Sequence, residues 1–164
     1  MAKTASTSRK AEGKSPLEGK KAPDFSLAAD NGETVTLSEL KGKKVVLYFY
    51  PKDDTPGCTK EACSFRDGFR EIQKKGAVIL GVSPDTVKSH EKFREKYNLN
   101  FSLLSDPEKE VLKAYGVWKE KALYGRKYMG VERTTFVIDE AGKIKKVFPK
   151  VKVDGHYEEV LAEL

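Results

Sequence analysis

The chain has 164 residues, of which 38% are hydrophobic and 34% are charged, and its formal net charge is +6. This length suits one ordinary domain, and no apolar run is long enough to cross a bilayer or to act as an export signal near the amino terminus. Two cysteines are too few for a disulfide scaffold, so a cytoplasmic location is expected, with a pair that is catalytic, redox-active or metal-binding.

The first 21 residues form a basic segment that carries +4 of the net charge. Residues 1–16 are rich in Ser, Thr and Lys and have no large apolar side chain after Met1, so they cannot bury enough surface to form a core. We therefore predict a flexible basic tail at 1–21 and one domain at 22–164. A transit peptide is the alternative interpretation of the tail. The domain itself is only mildly basic, which gives little support to nucleic-acid binding.

After the tail, hydrophobic patterns and turn signals predict strands that alternate with helices. Continuous apolar runs at 44–50 and 77–83 indicate buried parallel strands, and the segment between them indicates the connecting helix of a βαβ unit. Residues 117–130 are expected to be irregular. The other predicted elements are a hairpin around Asn31-Gly32, a helix from Ser83-Pro84 to about Tyr97, a strand at 101–105, a helix from Asp106-Pro107 to Gly116, a hairpin of 133–139 and 143–148, and a helix at 157–164. This order predicts a three-layer α/β domain.

The predicted helix between the two buried strands carries both cysteines. A step of about 100° per residue places one apolar stripe on this helix. Its members are Cys58, Ala62, Phe65, Phe69 and Ile72. Cys63 lies about 140° away from Cys58 on the helix, with its Cα atom about 8.6 Å away, whereas a disulfide needs about 4.4–6.8 Å. The two sulfurs can therefore bond only if the first helical turns unwind, which suits a catalytic cycle better than a permanent cross-link.

The residues around Cys58 favour a reactive thiolate. Unpaired backbone N–H groups and the helix dipole stabilise negative charge at a helix start, and Pro56 and Gly57 let backbone donors approach the sulfur. Ionisation alone accelerates the reaction at most about 30-fold, because an ordinary thiol is already about 3% ionised at neutral pH. Other groups must stabilise the transition state. Thr55 and Arg133 are the candidates, although Thr55 could be a helix cap and Arg133 a surface residue at a strand end.

These residues resemble the signature of a known family. Pro51, Thr55 and Cys58 match the Pro-x-x-x-Thr-x-x-Cys motif of peroxiredoxins, and Cys63 resembles the second cysteine of the bacterioferritin comigratory protein/peroxiredoxin Q subfamily. The resemblance extends from APDFSL through YFYPKDDTPGCT to YGVW, YGRKYMG and ERTTFVID, nearly everything after the tail. It implies a thioredoxin-like three-layer fold with a central mixed β-sheet, and thiol peroxidase activity on hydrogen peroxide and alkyl hydroperoxides.

The resemblance also implies a role for each site residue. Cys58 would be the peroxidatic cysteine and Cys63 the resolving one. Thr55 would orient the peroxide, Pro51 would shield the sulfur from water, and Arg133 would polarise both sulfur and substrate. The implied cycle passes through a Cys58 sulfenic acid and an intramolecular disulfide, which thioredoxin or a similar dithiol protein reduces. No metal or organic cofactor and no membrane contact are expected. A monomer is expected, since both cysteines lie in one chain.

Other functions compete with this interpretation. A nucleic-acid-binding module would use the basic tail and residues 119–128, where Lys and Arg interleave with Tyr, but such charge runs are usually solvated surface. A general disulfide oxidoreductase would need a Cys-x-x-Cys pair, which the sequence lacks. A zinc site that joins the cysteines to His90 and His156 is disfavoured, because surface positions are expected for both histidines.

Three aromatic residues of the segment 117–130 have no assigned role in this scheme. They are interpreted as core or loop-packing residues, and a place in the pocket or in a redox partner's docking site is the alternative. These residues are Trp118, Tyr124 and Tyr128.

Overall fold

The computed structural model describes residues 15–164. Its strands are β1 (Ser26–Ala29), β2 (Thr34–Thr36), β3 (Lys44–Phe49), β4 (Ala77–Ser83), β5 (Ser102–Ser105), β6 (Trp118–Leu123), β7 (Arg126–Val131), β8 (Thr134–Ile138) and β9 (Ile144–Phe148). Its α-helices are α1 (Pro56–Asp67), α2 (Phe69–Lys74), α3 (Val87–Tyr97), α4 (Glu110–Ala114) and α5 (His156–Ala162), and a 3₁₀ turn spans Leu37–Leu40.

Seven strands form one mixed sheet in the order β2-β1-β5-β4-β3-β8-β9. Strands β3, β4 and β5 run parallel to one another, whereas β8 pairs antiparallel with β3 and β1 pairs antiparallel with β5. The predicted βαβ unit is confirmed, as is the mixed central sheet of a thioredoxin-like fold.

Strand β3 shows how the sequence builds three layers around this sheet. Val45, Leu47 and Phe49 face one hydrophobic cluster, and Val46 and Tyr48 face the other. Alternate side chains of a strand point to opposite faces, so a continuous apolar run is covered on both sides. The hydrophobic cluster that contains Tyr48 includes residues of helices α1, α2, α3 and α5. The cluster that contains Leu47 includes residues of α4. Cys58 lies in the cluster of Tyr48, so the site is built on a sheet that is fixed from both faces.

The prediction that residues 117–130 are irregular is wrong. They form the antiparallel hairpin β6–β7, which is separate from the main sheet. Tyr124 and Gly125 connect the strands with φ of 53° and 78°, the left-handed conformation that two-residue hairpin turns require. Asn-Gly is the common signal for such a turn, and a Tyr-Gly pair does not give it.

The start of α3 also differs from the prediction. Ser83 is the fully buried last residue of β4 and not a helix cap. Thr86 caps α3 instead, because its hydroxyl accepts a 3.1 Å hydrogen bond from the Ser89 amide. The helix therefore begins at Val87, and its predicted end at Tyr97 is confirmed.

The cysteine helix is divided at Gly68, where one continuous helix was predicted. Gly68 has φ −94° and ψ 9° and separates α1 from α2. A Cβ atom at this position would lie 2.0 Å from the ring of Tyr157 in α5, and the Tyr157 hydroxyl donates to the Gly68 carbonyl at 3.0 Å. The close contact between the two helices thus needs a residue without a side chain. Phe65 and Ile72 still share one buried cluster across the break.

The folded part of the chain includes residues before position 22. The Gly19 amide donates to the Ile144 carbonyl, and the Ile144 amide donates to the Lys20 carbonyl, both at 2.8 Å. The segment that contacts β9 therefore includes residues that were assigned to the tail, on the amino-terminal side of the predicted boundary at 21–22. Residues 1–14 of the predicted tail lie outside the described residues. Among residues 15–164, no helix has the length and apolar character needed to span a bilayer.

Candidate active site

Cys58 is the third residue of α1. The helix begins at Pro56, and its first backbone hydrogen bond runs from the Thr59 amide to the Thr55 carbonyl at 2.8 Å. The amides of Gly57 and Cys58 therefore have no acceptor within the helix, so their dipoles favour negative charge on the sulfur. The thiol is not bonded to another cysteine and is 2% exposed. This is the helix start and the buried face that the sequence predicted.

Arg133 reaches Cys58 from the segment between β7 and β8. Its Nη2 donates to the Cys58 sulfur at 3.4 Å, and its Nη1 donates to Glu61 Oε1 at 2.7 Å. The side chain is 18% exposed, so the alternative of a surface residue at a strand end is wrong. Burial disfavours the charge of Arg133, but attraction to Glu61 and Cys58 outweighs it and raises the pKa of the guanidinium. A permanent cation is therefore fixed beside the sulfur.

Glu61 is the residue of this site that the sequence analysis missed. It is fully buried one helical turn after Cys58, and its Oε2 atom has no hydrogen-bond partner among residues 15–164. Burial raises the pKa of Glu61 to about 7, although the charge and hydrogen bond of Arg133 act in the opposite direction. Its position three residues after Cys58 lies only about 60° from the apolar stripe. A charged residue so near the buried face was the signal available in the sequence.

Gly57 makes room for the guanidinium of Arg133. A Cβ atom at this position would lie 3.1 Å from Nη2 of Arg133, closer than most carbon contacts in folded proteins. The glycine that was expected to admit backbone donors to the sulfur thus also admits the cation.

Thr55 and Pro51 lie in the loop between β3 and α1, and both are partly buried. Thr55 occupies the N-cap position of α1, as the alternative interpretation has it, but its side chain makes no cap hydrogen bond. Its hydroxyl donates to the Lys52 carbonyl at 2.9 Å, which leaves the hydroxyl oxygen able to accept another bond. Pro51 directly follows Tyr50, the buried first residue after β3.

The same loop is fastened to α3 through Asp53. One carboxylate oxygen accepts from the Tyr50 hydroxyl at 2.6 Å, and the other lies 2.7 Å from Nδ1 of His90. His90 is fully buried, and its Nε2 lies 2.9 Å from the Leu104 carbonyl. The ring therefore connects the loop to the Leu104 carbonyl in β5. The predicted surface position of His90 is therefore wrong.

Asp53, Asp85 and His90 are the one group of possible metal ligands that the described part of the chain brings together. Each already has partners, since Asp85 accepts from the Asp53 amide and from the Ser83 hydroxyl, both at 2.8 Å. These contacts describe a hydrogen-bond network that holds the loop. Neither cysteine belongs to the group, which gives no support to the zinc site of two cysteines and two histidines.

His156 is also buried, in contrast to the predicted surface position. It is 2% exposed at the start of α5, where Nε2 lies 2.8 Å from the Thr135 hydroxyl and Nδ1 lies 3.1 Å from Glu159. Burial lowers the pKa of His156, although Glu159 acts in the opposite direction. The residue joins α5 to β8, the strand that follows Arg133.

Cys63 lies on α1 and is partly buried and free. Because α1 continues to Asp67 without interruption, the helix holds Cys63 on a different side from Cys58.

Two of the three aromatic residues without an assigned role, Tyr124 and Tyr128, are exposed on β6–β7 and do not pack in a core or loop. Trp118 is partly buried and packs against the hydrophobic cluster that contains Leu47.

Comparison with known proteins gives consistent similarities over nearly the whole described chain. The AhpC/TSA family matches residues 18–147. A Coxiella burnetii protein named putative peroxiredoxin bcp is 60% identical over 146 residues, which cover 89% of this chain and 97% of the relative. Peroxiredoxin Bcp of Bacillus subtilis is 55% identical, with coverages of 89% and 93%.

Solved structures agree with these sequence similarities. A mutant of Xylella fastidiosa PrxQ has a TM-score of 0.86 at 37% identity, covering 92% of this chain and 96% of that protein. A Xanthomonas campestris bacterioferritin comigratory protein, studied for alkyl peroxide reduction in trapped intermediate and ligand complexes, has a TM-score of 0.81 at 43% identity, with coverages of 84% and 88%.

Proposed function

The chain belongs to the peroxiredoxin family, in its bacterioferritin comigratory protein/peroxiredoxin Q subfamily, and on this premise we propose which residues carry its thiol peroxidase activity. Cys58 is the peroxidatic cysteine and Cys63 the resolving one. The observation that carries this assignment is the 3.4 Å hydrogen bond from Arg133 to the Cys58 sulfur at the start of α1. A cation contacts this sulfur at the start of a helix, and no comparable arrangement involves Cys63 in residues 15–164.

The first step is attack of the Cys58 thiolate on the terminal oxygen of a hydroperoxide. A sulfur–oxygen bond forms while the O–O bond breaks, and its electron pair leaves with the other oxygen, which takes up a proton as water or alcohol. Sulfur is thereby oxidised by two electrons to a sulfenic acid. Arg133 stabilises the negative charge that spreads from sulfur over the two oxygens. Thr55 accepts from the peroxide hydrogen, and Pro51 restricts the access of water.

The second step joins the two cysteines. The Cys63 thiol attacks the sulfenic sulfur, a disulfide forms and water leaves. Positions five apart on an intact helix are about 8.6 Å apart at Cα, beyond the reach of a disulfide. The first turns of α1 therefore unwind after each peroxide has reacted and rewind when the disulfide has been reduced.

The cycle ends when an external dithiol reduces the disulfide. We infer that thioredoxin or a similar dithiol protein does so, that the protein works as a monomer because both cysteines lie in one chain, and that it works in the reducing cytoplasm. Hydrogen peroxide and alkyl hydroperoxides are both proposed as substrates. The alkyl peroxide reduction of the Xanthomonas campestris relative supports the second class.

The assignment is tested by peroxide consumption with dithiothreitol and by mass spectrometry. Wild type given one equivalent of peroxide should lose two hydrogens and yield a peptide in which Cys58 is linked to Cys63. Cys63→Ser should still react once and accumulate a sulfenic acid that a cyclic diketone reagent traps. Cys58→Ser should consume no peroxide above the rate of dithiothreitol alone. Wild-type activity in Cys58→Ser would show that the assignment is wrong.

A further inference from the structure

The hairpin β6–β7 carries all the large hydrophobic side chains that remain exposed within residues 15–164. They are Leu123, Tyr124, Tyr128 and Met129, which are 55%, 94%, 48% and 49% exposed. Single exposed apolar residues are common on protein surfaces, but a cluster on one element marks an interaction site. Leu123 and Tyr128 share one face of the hairpin, with Tyr124 at its tip, whereas Met129 pairs with Glu120 on the opposite face. The hairpin has no role in closing the main sheet, from which it is separate.

The same hairpin is positively charged. Four basic residues stand against Glu120 alone, and two of the four already have acidic partners: Lys119 contacts Glu132 at 2.7 Å, and Lys127 lies 4.0 Å from Glu120. The other two basic residues, Lys121 and Arg126, make no salt bridge with any described residue. Lys121 is paired with Tyr128, and Arg126 is paired with Leu123, so these cations border the exposed apolar side chains directly.

The base of the hairpin lies next to the active site. Strand β7 ends at Val131, two residues before Arg133, and the buried Val131 pairs with Trp118. The Glu132 amide donates to the Val117 carbonyl at 2.8 Å, which fixes the point where the hairpin leaves the domain. A strand of six residues spans about 20 Å. A protein that contacts both the tip and the base of β6–β7 therefore also lies beside the cation of the catalytic site.

We propose that β6–β7 is the docking surface for the dithiol protein that reduces the Cys58–Cys63 disulfide, and that this partner presents an apolar patch bordered by acidic side chains. The inference rests on the proposed function, because only an oxidised cysteine pair needs such a partner. Leu123, Tyr124 and Tyr128 with two cations that have no salt bridge make a small contact, and small interfaces are typical of transient redox encounters. Acidic residues on the partner would speed the encounter and orient it.

Two other occupants fit the hairpin less well. A second copy of this chain would bring two positively charged hairpins together, which is unfavourable unless other groups offset the repulsion. Single-stranded nucleic acid would stack its bases on Tyr124 and Tyr128, but Leu123 on the same surface offers no aromatic face for stacking. Aliphatic and aromatic side chains beside cations match an acidic protein with an apolar patch better.

The test measures how fast the oxidised protein is reduced by a thioredoxin and, separately, by dithiothreitol. Two variants remove different parts of the surface: Leu123→Ser with Tyr124→Ser, and Lys121→Glu with Arg126→Glu. Each should lower kcat/KM for thioredoxin by about 10-fold or more, since losing 1.4 kcal/mol of contact energy corresponds to about a factor of ten. Reduction by dithiothreitol should not change. The charge variant should also lose most of the dependence of the thioredoxin rate on salt.

A matched control reverses two exposed lysines elsewhere, in Lys75→Glu with Lys88→Glu, and should keep the wild-type rate with thioredoxin. The proposal is overturned if the hairpin variants react with thioredoxin like wild type, or if thioredoxin reduces wild type no faster than dithiothreitol at equal thiol concentration. It is also overturned if the variants lose only binding to a single-stranded oligonucleotide in a gel-shift assay. Failure of the proposed function differs from all of these results, because peroxide turnover with dithiothreitol would then persist in Cys58→Ser.

Discussion

Arg133 donates a 2.7 Å hydrogen bond to Glu61, a carboxylate that is fully buried one turn beyond the reactive cysteine. The same guanidinium donates to Cys58 at 3.4 Å. Glu61 therefore fixes the orientation of the cation and at the same time competes for its charge. The other Glu61 oxygen has no hydrogen-bond partner in residues 15–164, so burial of this carboxylate is incompletely compensated. The position of Arg133 is thus maintained at a cost in folding free energy.

The raised pKa of Glu61 makes the free energy of unfolding depend on pH. The pKa of Glu61 is about 7 in the folded protein against 4.5 for the ordinary side chain, so between these values the folded state holds a proton that the unfolded state has lost. Protonation of Glu61 therefore stabilises the fold fully below the pKa of the ordinary side chain. This contribution to the free energy of unfolding falls as the pH rises towards about 7, and above that pH the free energy no longer changes on account of Glu61. The shift corresponds to about 3 kcal/mol. Glu61→Gln should lack this decline.

The measurement is denaturant unfolding of wild type and Glu61→Gln at pH 4.5 and pH 8. The glutamine keeps an acceptor for Arg133, and its stability relative to wild type should rise by up to about 3 kcal/mol between the two pH values. Glu91→Gln, at an exposed position of α3, serves as the control and should follow wild type. Parallel pH profiles for wild type and Glu61→Gln would contradict the prediction.

Arg133→Lys should slow the reaction of Cys58 with peroxide by about 100-fold to 1,000-fold, the usual effect of removing one donor from a charge-stabilising site. Lysine keeps the charge, but its ammonium group lacks the planar fork with which arginine donates to the sulfur and to Glu61 together. Single-turnover peroxide consumption gives the rate, and Arg126→Lys on β7 is the control. A rate within about threefold of wild type would show that charge alone suffices.

Gly57→Ala should separate stability from activity. The backbone of Gly57 does not adopt a positive φ, and alanine favours a helix over glycine by up to about 1 kcal/mol. The new methyl group would lie 3.1 Å from Nη2 of Arg133, which Glu61 prevents from moving away freely. We expect unchanged or higher stability in denaturant and a rate of reaction with peroxide about 10-fold lower, equivalent to about 1.4 kcal/mol in the barrier. An unchanged rate would mean that Arg133 shifts without loss.

The elements that the sequence predicted well are those in which local pattern and burial agree. The apolar runs of β3 and β4 are covered on both faces, and the stripe through Cys58 is the buried side of α1. The turn residues Asn31-Gly32 predict their hairpin without information from any other part of the chain. In each case, neighbouring residues contain enough information to place the element.

The errors at the site concern polar residues whose partners are distant in the chain. Glu61 and Arg133 are 72 residues apart, and His90 and Asp53 are 37 apart. A polar side chain is buried where the fold supplies its partner, so hydropathy and helical spacing place it wrongly on the surface. The prediction for Ser83 is wrong for a different reason, because its hydroxyl donates to Asp85, only two residues away, where a buried strand ends.

Gly68→Ala tests why the cysteine helix is divided. The added methyl group would overlap the ring of Tyr157, whose nearest atom is 2.0 Å away. Overpacking of this kind costs about 1–3 kcal/mol, whereas alanine at a free helical position would stabilise. We expect a lower midpoint of denaturant unfolding, and adding Tyr157→Ala to Gly68→Ala should remove the overlap, so that the two changes together cost less than the sum of their separate effects. If Gly68→Ala alone stabilises the protein, the contact with α5 does not set the break.

The pair of Asp53 and His90 should behave as one unit in stability and in activity. Removing one partner of a buried hydrogen bond costs about 1–3 kcal/mol, because the other is left unsatisfied. Asp53→Asn and His90→Gln should each destabilise the protein, and the double variant should lose less than the sum of the two, with a coupling of about 0.5–3 kcal/mol. The double-mutant cycle is measured by denaturant unfolding. Because Asp53 lies between Pro51 and Thr55, both single variants should also slow the reaction of Cys58 with peroxide. Additive losses with a wild-type peroxide rate would mean that other contacts, such as that of Asp54 with Lys96 at 2.8 Å, hold the loop.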